Sequence, residues 1–263
     1  MELLEIVYKL EGKSSFDRFN IVTKLLDELE IAFDIHYYAT GSNIIVGNTG
    51  ERFIGIGSHF DVFNGSPGAN DNASGVAVIL GLIKKISTSN FKQNLVFFFF
   101  DQEEQGMLGS KSYIQDHSIH KMQAYINLEM VGIGNKIALW SLNKDSYGEA
   151  LETMENILIG KEIYAGRFEK LVGRYADHVP FRKAGIEDSF SLTCVSDKDL
   201  DVLYHYNKAK EFDVDKEVLD EILSKGPLFK DYHQHSDLAI HLSEESLKLV
   251  ERVVFETLSR LVS

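Results

Sequence analysis

The chain of 263 residues holds one cysteine, three prolines and one tryptophan, and it has no surplus of basic residues. With Cys194 alone, no intrachain disulfide can form and no thiolate cluster can hold a metal, so any metal must be bound by histidine and carboxylate. Lysine and arginine total 27 against 40 acids, a formal net charge of -13. That balance argues against nucleic acid or an anionic membrane surface as partner, because both need basic patches. It leaves a cationic ligand such as a peptide amino terminus, or simply a solubilising acidic surface. No apolar run is long enough to span a membrane. Met1 to Val7 carries early acids in place of the basic stretch that opens a secretion signal, so a soluble cytoplasmic protein is expected. No Pro- or Gly-rich linker, repeat or low-complexity tract interrupts the chain. With 44% apolar and 25% charged residues, one globular domain over 1–263 is expected.

What is present points to alternating strands and helices. Leu95 to Phe100 is an unbroken apolar run bounded by polar residues, the pattern of a strand buried on both faces in a parallel sheet. Further strands are expected from Ala32 to Ala39, Asn43 to Val46, Phe53 to Gly57, Gln123 to Leu128, Lys136 to Trp140 and Asp188 to Cys194. Helices are expected after Ser15, from Ala73 to Ile86 behind Asn72, near Ser110 to Gln115, over Glu149 to Leu158 and Asp215 to Leu223, and after Ser243. The sum is a three-layer α/β/α fold around a mixed, mostly parallel sheet.

Ligand-type residues gather at the expected strand ends. The Leu95–Phe100 run opens directly onto Glu103 and Glu104, two carboxylates that repel unless a proton or cation intervenes. His59 and Asp61 come after the strand ending at Gly57, two residues apart and therefore on one side of an extended chain. Asp71 precedes a helix rich in small residues, Glu129 stands just past a buried strand, and Tyr232 to Asp237 supplies His233 and His235 with an acid. Each pattern alone also fits a bland reading: an acidic turn, a surface hydrogen bond, a capping loop.

Together they resemble the di-zinc aminopeptidases, the aminopeptidase Y and bacterial leucyl aminopeptidase family. Six motifs stand in the family's order: His59-Phe60-Asp61, Pro67 to Gly75, Glu103 to Gly106, Asn127-Leu128-Glu129, Ala176-Asp177-His178-Val179-Pro180-Phe181 and Tyr232-His233. The resemblance implies Asp71 as a carboxylate shared by two divalent ions, with His59 and Glu129 completing one site and Glu104 and His233 the other. Zinc is the default, with cobalt or manganese as alternatives. Glu103 stays unligated as general base, and Asp61 fixes the His59 ring from behind. Asp237 is a candidate partner for the second site, and His235 matches no ligand position. The bond Asp71–Asn72 is implied to be cis. The implied reaction is hydrolysis of the amino-terminal peptide bond of peptides, since such a site can also hold a free α-amino group.

Two positions depart from the family pattern. Glu129 stands where the family has Asp, one methylene longer, and Ala176 stands where it has Ser. Tyr175 is a candidate oxyanion donor, or merely a packed or exposed side chain. Residues 196–230 are charged and interleaved with Tyr204, Tyr206, Phe212 and Phe229, either a lid over the substrate pocket or a surface excursion. Two rival functions share the fold. A single-zinc glutaminyl-peptide cyclotransferase has a Trp before the late His, where this chain has Tyr232, and lacks the continuation seen here in Asn72 to Gly75. A metal-free scaffold would have lost its ligands. Oligomeric state and side-chain preference are not legible.

Overall fold

All six residues of strand β4 (Leu95–Phe100) are buried, because helices cover the sheet on both faces. Their side chains alternate across it. Phe97 and Phe99 join the apolar cluster of helices α1 (Leu3–Leu10), α3 (Ser74–Ser87) and α10 (Glu244–Leu261). Phe98 and Phe100 join Tyr113 of α4 (Leu108–Asp116) and Phe181 of α6 (His178–Lys183) on the other face. The computed structural model describes residues 2–49, 52–87, 94–169, 171, 176–212 and 214–262.

Among these residues one sheet runs in the order β1 (Asp34–Tyr38), β2 (Gly41–Gly47), β4, β3 (Phe53–His59), β5 (Met122–Leu128), β8 (Ser189–Val195), β6 (Lys136–Trp140) and β7 (Ala165–Phe168). Pairs β3–β4, β3–β5, β5–β8 and β6–β7 are parallel, while β1–β2, β2–β4 and β6–β8 are antiparallel. The architecture is the expected three-layer α/β/α with a mixed sheet.

Several boundaries differ from the sequence reading for physical reasons. Strand β3 continues past Gly57 to His59, because Ser58 and His59 keep pairing with Phe99 and Phe100. Ser14, not Ser15, caps α2 (Ser15–Glu28), accepting from the Asp17 amide at 3.1 Å. Helix α1 was not expected, although Leu3, Ile6, Val7 and Leu10 form a buried stripe at helical spacing. Residues 196–230 are mostly helical: α7 (Asp197–Glu211) with a Ser196–Asp199 capping box, α8 (Lys216–Leu223) and the short α9 (Pro227–Lys230). Helix α5 (Glu149–Gly160) packs against α10.

Among the strands, the parallel set β4–β3–β5 does most to place ligand-type side chains together. Its three carboxyl ends lie at one edge, so His59 at the end of β3, the turn after β4 and Glu129 after β5 are delivered to the same place.

Candidate metal centre

Asp71 lies at the centre of this edge, on the single turn Ala69–Ala73 that leads into α3, and the Asp71–Asn72 peptide is cis as the resemblance implied. Its two oxygens face two histidines. Oδ1 is 3.2 Å from His59 Nε2 and Oδ2 is 3.4 Å from His233 Nε2. Glu129 Oε1 lies 3.3 Å from His59 Nε2, and Glu104 Oε2 lies 3.0 Å from His233 Nε2. Two triads therefore share Asp71: His59, Asp71 and Glu129 in one, Asp71, Glu104 and His233 in the other, each with one donor atom per residue within 4.8 Å of the rest. All five ligand candidates of the sequence reading meet here.

Each is held by a different device. Asp61 Oδ1 is 3.2 Å from His59 Nδ1, behind the ring, as the resemblance implied. Its carboxylate also accepts the backbone amides of Glu103 at 3.0 Å and Glu104 at 3.1 Å, so one side chain orients both the histidine and the Glu-Glu turn. Glu129 keeps Oε1 toward His59 while Oε2 accepts from Asn127 Nδ2 at 3.1 Å. Asn127 also donates to Ser191 at 3.0 Å, and Ser191 lies 2.7 Å from His178 Nδ1. Burial, with Arg182 nearby, pushes His178 down to about 3, so the ring is neutral where it meets Ser191. The extra methylene of Glu129 is thus accommodated, with one oxygen tied away and the other presented. Asn127 entered the sequence reading only as part of a motif, without a role, and Ser191 was not singled out, yet Asn127 and Glu129 share a strand face by the period-two rule.

Asp237 requires a correction. It does not partner His233 but accepts the backbone amides of Asn70 at 2.7 Å and Asp71 at 3.0 Å, fixing the shared carboxylate through its own main chain. The His233 ring is instead stacked against Phe63, with centroids 4.0 Å apart, and against Tyr232 at 3.8 Å. Two rings this close to one imidazole must occupy opposite faces, so His233 is clamped by aromatics. His235 is exposed, and Tyr175 lies outside the described residues.

The electrostatics call for a cation. Burial opposes charge on His59, but Glu129 with Asp61 and Asp71 outweighs it and raises the ring well above its ordinary value. The balance at His233 is the same, burial against Asp71 and Glu104, and it ends at about 9. Burial raises Glu104 and Glu129, partly offset at Glu104 by its bond to His233 and at Glu129 by the charge of His59. With Asp61 behind Nδ1, His59 Nε2 meets carboxylate oxygens on its other side. Buried Glu104 Oε1 makes no hydrogen bond among the described residues. A nitrogen and oxygen donor set of this kind, without thiolate, fits zinc, and cobalt or manganese less selectively.

Glu103 is half-buried, and its carboxylate makes no hydrogen bond among the described residues. Burial raises it well above the usual carboxylate range, with Glu129, Asp177 and Asp61 adding to the shift against the pull of His59. Burial likewise raises Asp177, which accepts from Ser110 at 2.6 Å, to about 7. The site opens into a cavity of about 570 Å³ lined by Glu103, Glu104 and Asp71 on one side and by Lys216, Leu223 and Phe229 of α8 and α9 on another. Ala176 and Met130 also line it.

A model of peptidase family M28 matches residues 43–258. The chain belongs to peptidase family M28. A curated relative, aminopeptidase YwaD of Bacillus subtilis, is 31% identical over 144 residues, 51% of this chain and 30% of its own length. Among solved structures, BSAP, a zinc aminopeptidase from Bacillus subtilis, matches with TM-score 0.63 and 22% identity over 85% of this chain and 50% of that one. Porphyromonas gingivalis glutaminyl cyclase matches with TM-score 0.71 and 17% identity over 99% of this chain and 98% of its own. At these identities the two structures speak for the M28 fold and no more. The chain spans about a fifth to a third of the length of the first curated relatives it matches.

Proposed function

We propose that this M28 chain is a metal-dependent aminopeptidase that binds two divalent ions, most simply zinc, and hydrolyses the amino-terminal peptide bond of peptides. The observation that carries the reading is the pair of triads sharing Asp71 at the wall of one cavity, with the Glu103 carboxylate close to His59 and Glu104 beside them; in this reading Glu103 stays off the metals. His59, Asp71 and Glu129 would hold one ion, and Asp71, Glu104 and His233 the other. When bound, the ions would supply Lewis acidity toward a substrate carbonyl and acidify water. Glu103 accepts a proton at its carboxylate during attack on the amide carbon and returns it to the departing amine. Asp61 keeps the His59 ring and the Glu103–Glu104 turn in register, and Asp237 does the same for Asp71. The acidic lining complements a substrate's protonated amino terminus until that group binds. Residues 196–230 form the specificity segment in this reading, since α8 and α9 reach the cavity. The names of YwaD and BSAP support the same activity.

The glutaminyl cyclase likeness supports a second reading, cyclisation of amino-terminal Gln at a single ion. Against it stand Tyr232, the Asn72 to Gly75 continuation and the His59 triad, which a one-ion site does not require. Metal analysis and a panel of aminoacyl amides and Gln-peptides separate the readings. Two zinc ions per chain with release of free amino acids supports the aminopeptidase. One ion with ammonia release from Gln-peptides supports the cyclase, and neither metal nor turnover supports a scaffold. Glu103→Gln is expected to lower turnover roughly 10²–10⁴-fold with zinc content unchanged.

A further inference from the structure

Arg18 lies on α2, ahead of the residues that match the M28 model, and is only 1% exposed. Its guanidinium donates to backbone carbonyls alone: Nε to Leu10 at 3.1 Å, Nη1 to Phe60 at 3.4 Å, and Nη2 to Pro67 and Gly68 at 2.8 Å each. Phe60 stands between His59 and Asp61, and Gly68 lies three residues before Asp71. The approach is close. At Gly68, with φ +64°, an added Cβ would come within 2.7 Å of Arg18 Nη2 and 2.8 Å of the Asp71 carbonyl oxygen.

Among the described residues Arg18 makes no ion pair. A buried guanidinium without compensation is costly, so its charge must be balanced from a distance. Burial lowers it to about 10, and the charges that hold it up are Asp71, Asp237, Asp61 and Glu104, all at the candidate metal centre or its support.

We propose that Arg18 is a positioning residue, a fixed counter-charge beneath the acidic cluster that keeps Asp61, Asp71 and Glu104 gathered when no dication is bound. The inference rests on the proposed metal site. Arg18 and the dications draw on the same negative charge, so removing the guanidinium makes the protein depend more heavily on metal.

The test uses the full chain, with melting temperatures measured with and without zinc for the wild type, R18K and R18Q. Both variants lose the planar fork, but only R18Q loses the charge. The zinc-induced rise in R18Q is expected to exceed that in R18K by roughly 5 °C. Chelator competition is expected to show zinc bound about tenfold more tightly by R18Q than by R18K. Equal zinc effects in the two variants would overturn the counter-charge and leave a backbone clamp. If R18Q folds in neither condition, the double variant R18Q/D237N, which removes one carboxylate along with the guanidinium, is expected to recover folding. Failure to recover also overturns the proposal. Absence of any zinc effect in the wild type refutes the metal reading itself, and the counter-charge with it.

Discussion

His59 and His233 present the same nitrogen to the same carboxylate, yet they are held by unlike means. His59 ends a central strand, its side chain is 1% exposed, and Asp61 stands 3.2 Å behind its ring. His233 sits on a turn at φ +58°, its side chain is 24% exposed, and two aromatic rings clamp it. A carboxylate behind an imidazole fixes its tautomer and raises its basicity, whereas stacking fixes orientation alone. The His59 side is therefore the more rigidly held half of the candidate centre, and the His233 side is the more accessible half.

The largest effect is expected from removing the rings themselves. His59→Ala and His233→Ala should each lower zinc content from two ions to one, read by metal analysis. His59→Ala should also cost about 3 kcal/mol of metal-free stability in denaturant unfolding, because it strands buried Asp61 and Glu129 without a cation. His233→Ala should cost markedly less, and equal losses would break the comparison. Next is Asp61→Asn, which keeps shape but removes the charge behind His59. Zinc affinity on that side should fall about 10–100-fold in chelator titration, with the His233 step little changed.

A smaller effect is expected from pH on the metal-free protein. The folded pKa values of His233 at about 9, Asp177 at about 7 and Asp237 at about 6 lie above those of the unfolded chain. A raised histidine contributes stability that is full below its unfolded value and is lost as pH climbs through about 9. A raised carboxyl makes the fold less stable as pH climbs from about 4 through its folded value. Both signs agree. The melting temperature of the metal-free protein should fall by a few degrees between pH 5 and pH 8, while the gain on adding zinc grows over the same range. A metal-free protein that becomes more stable toward pH 8 would contradict this. The smallest effect is expected from Phe63→Ala, which removes one face of the His233 clamp. The weaker zinc step alone should shift, by less than about tenfold.

The sheet core and the candidate ligand cluster were legible because both rest on short-range patterns. The Leu95–Phe100 run declared a doubly buried strand, and Glu103, Glu104, His59, Asp61 and Asp71 sit within a few residues of strand ends or a helix start. Six ordered motifs then gave each weak signal its neighbours. The supporting contacts were not legible, because they join residues far apart in the chain. Asp237 reaches Asp71 across 166 positions, Arg18 reaches Gly68 across 50, and Ser191 reaches Asn127 across 64. No local spacing encodes such pairs. The edge strand β7 was missed for a related reason: its four residues, Ala165–Phe168, are half-buried and lack an apolar run.

The sequence by itself determined which chemistry is on offer. With one buried cysteine, an acidic balance and histidines and carboxylates placed after apolar runs, only nitrogen and oxygen ligands at strand ends were available. Tertiary structure decided how those groups divide the work. Parallel pairing of β3 with β4 and β5 brought His59, Glu103, Glu104 and Glu129 to one edge beside Asp71, and the tertiary fold turned Asp237 toward backbone amides. It also set Arg18, from outside the family match, against the backbone carbonyls of Phe60, Pro67 and Gly68. Ligand identity is a property of side chains, whereas the division of roles depends on distances and burial that exist only once the strands have paired.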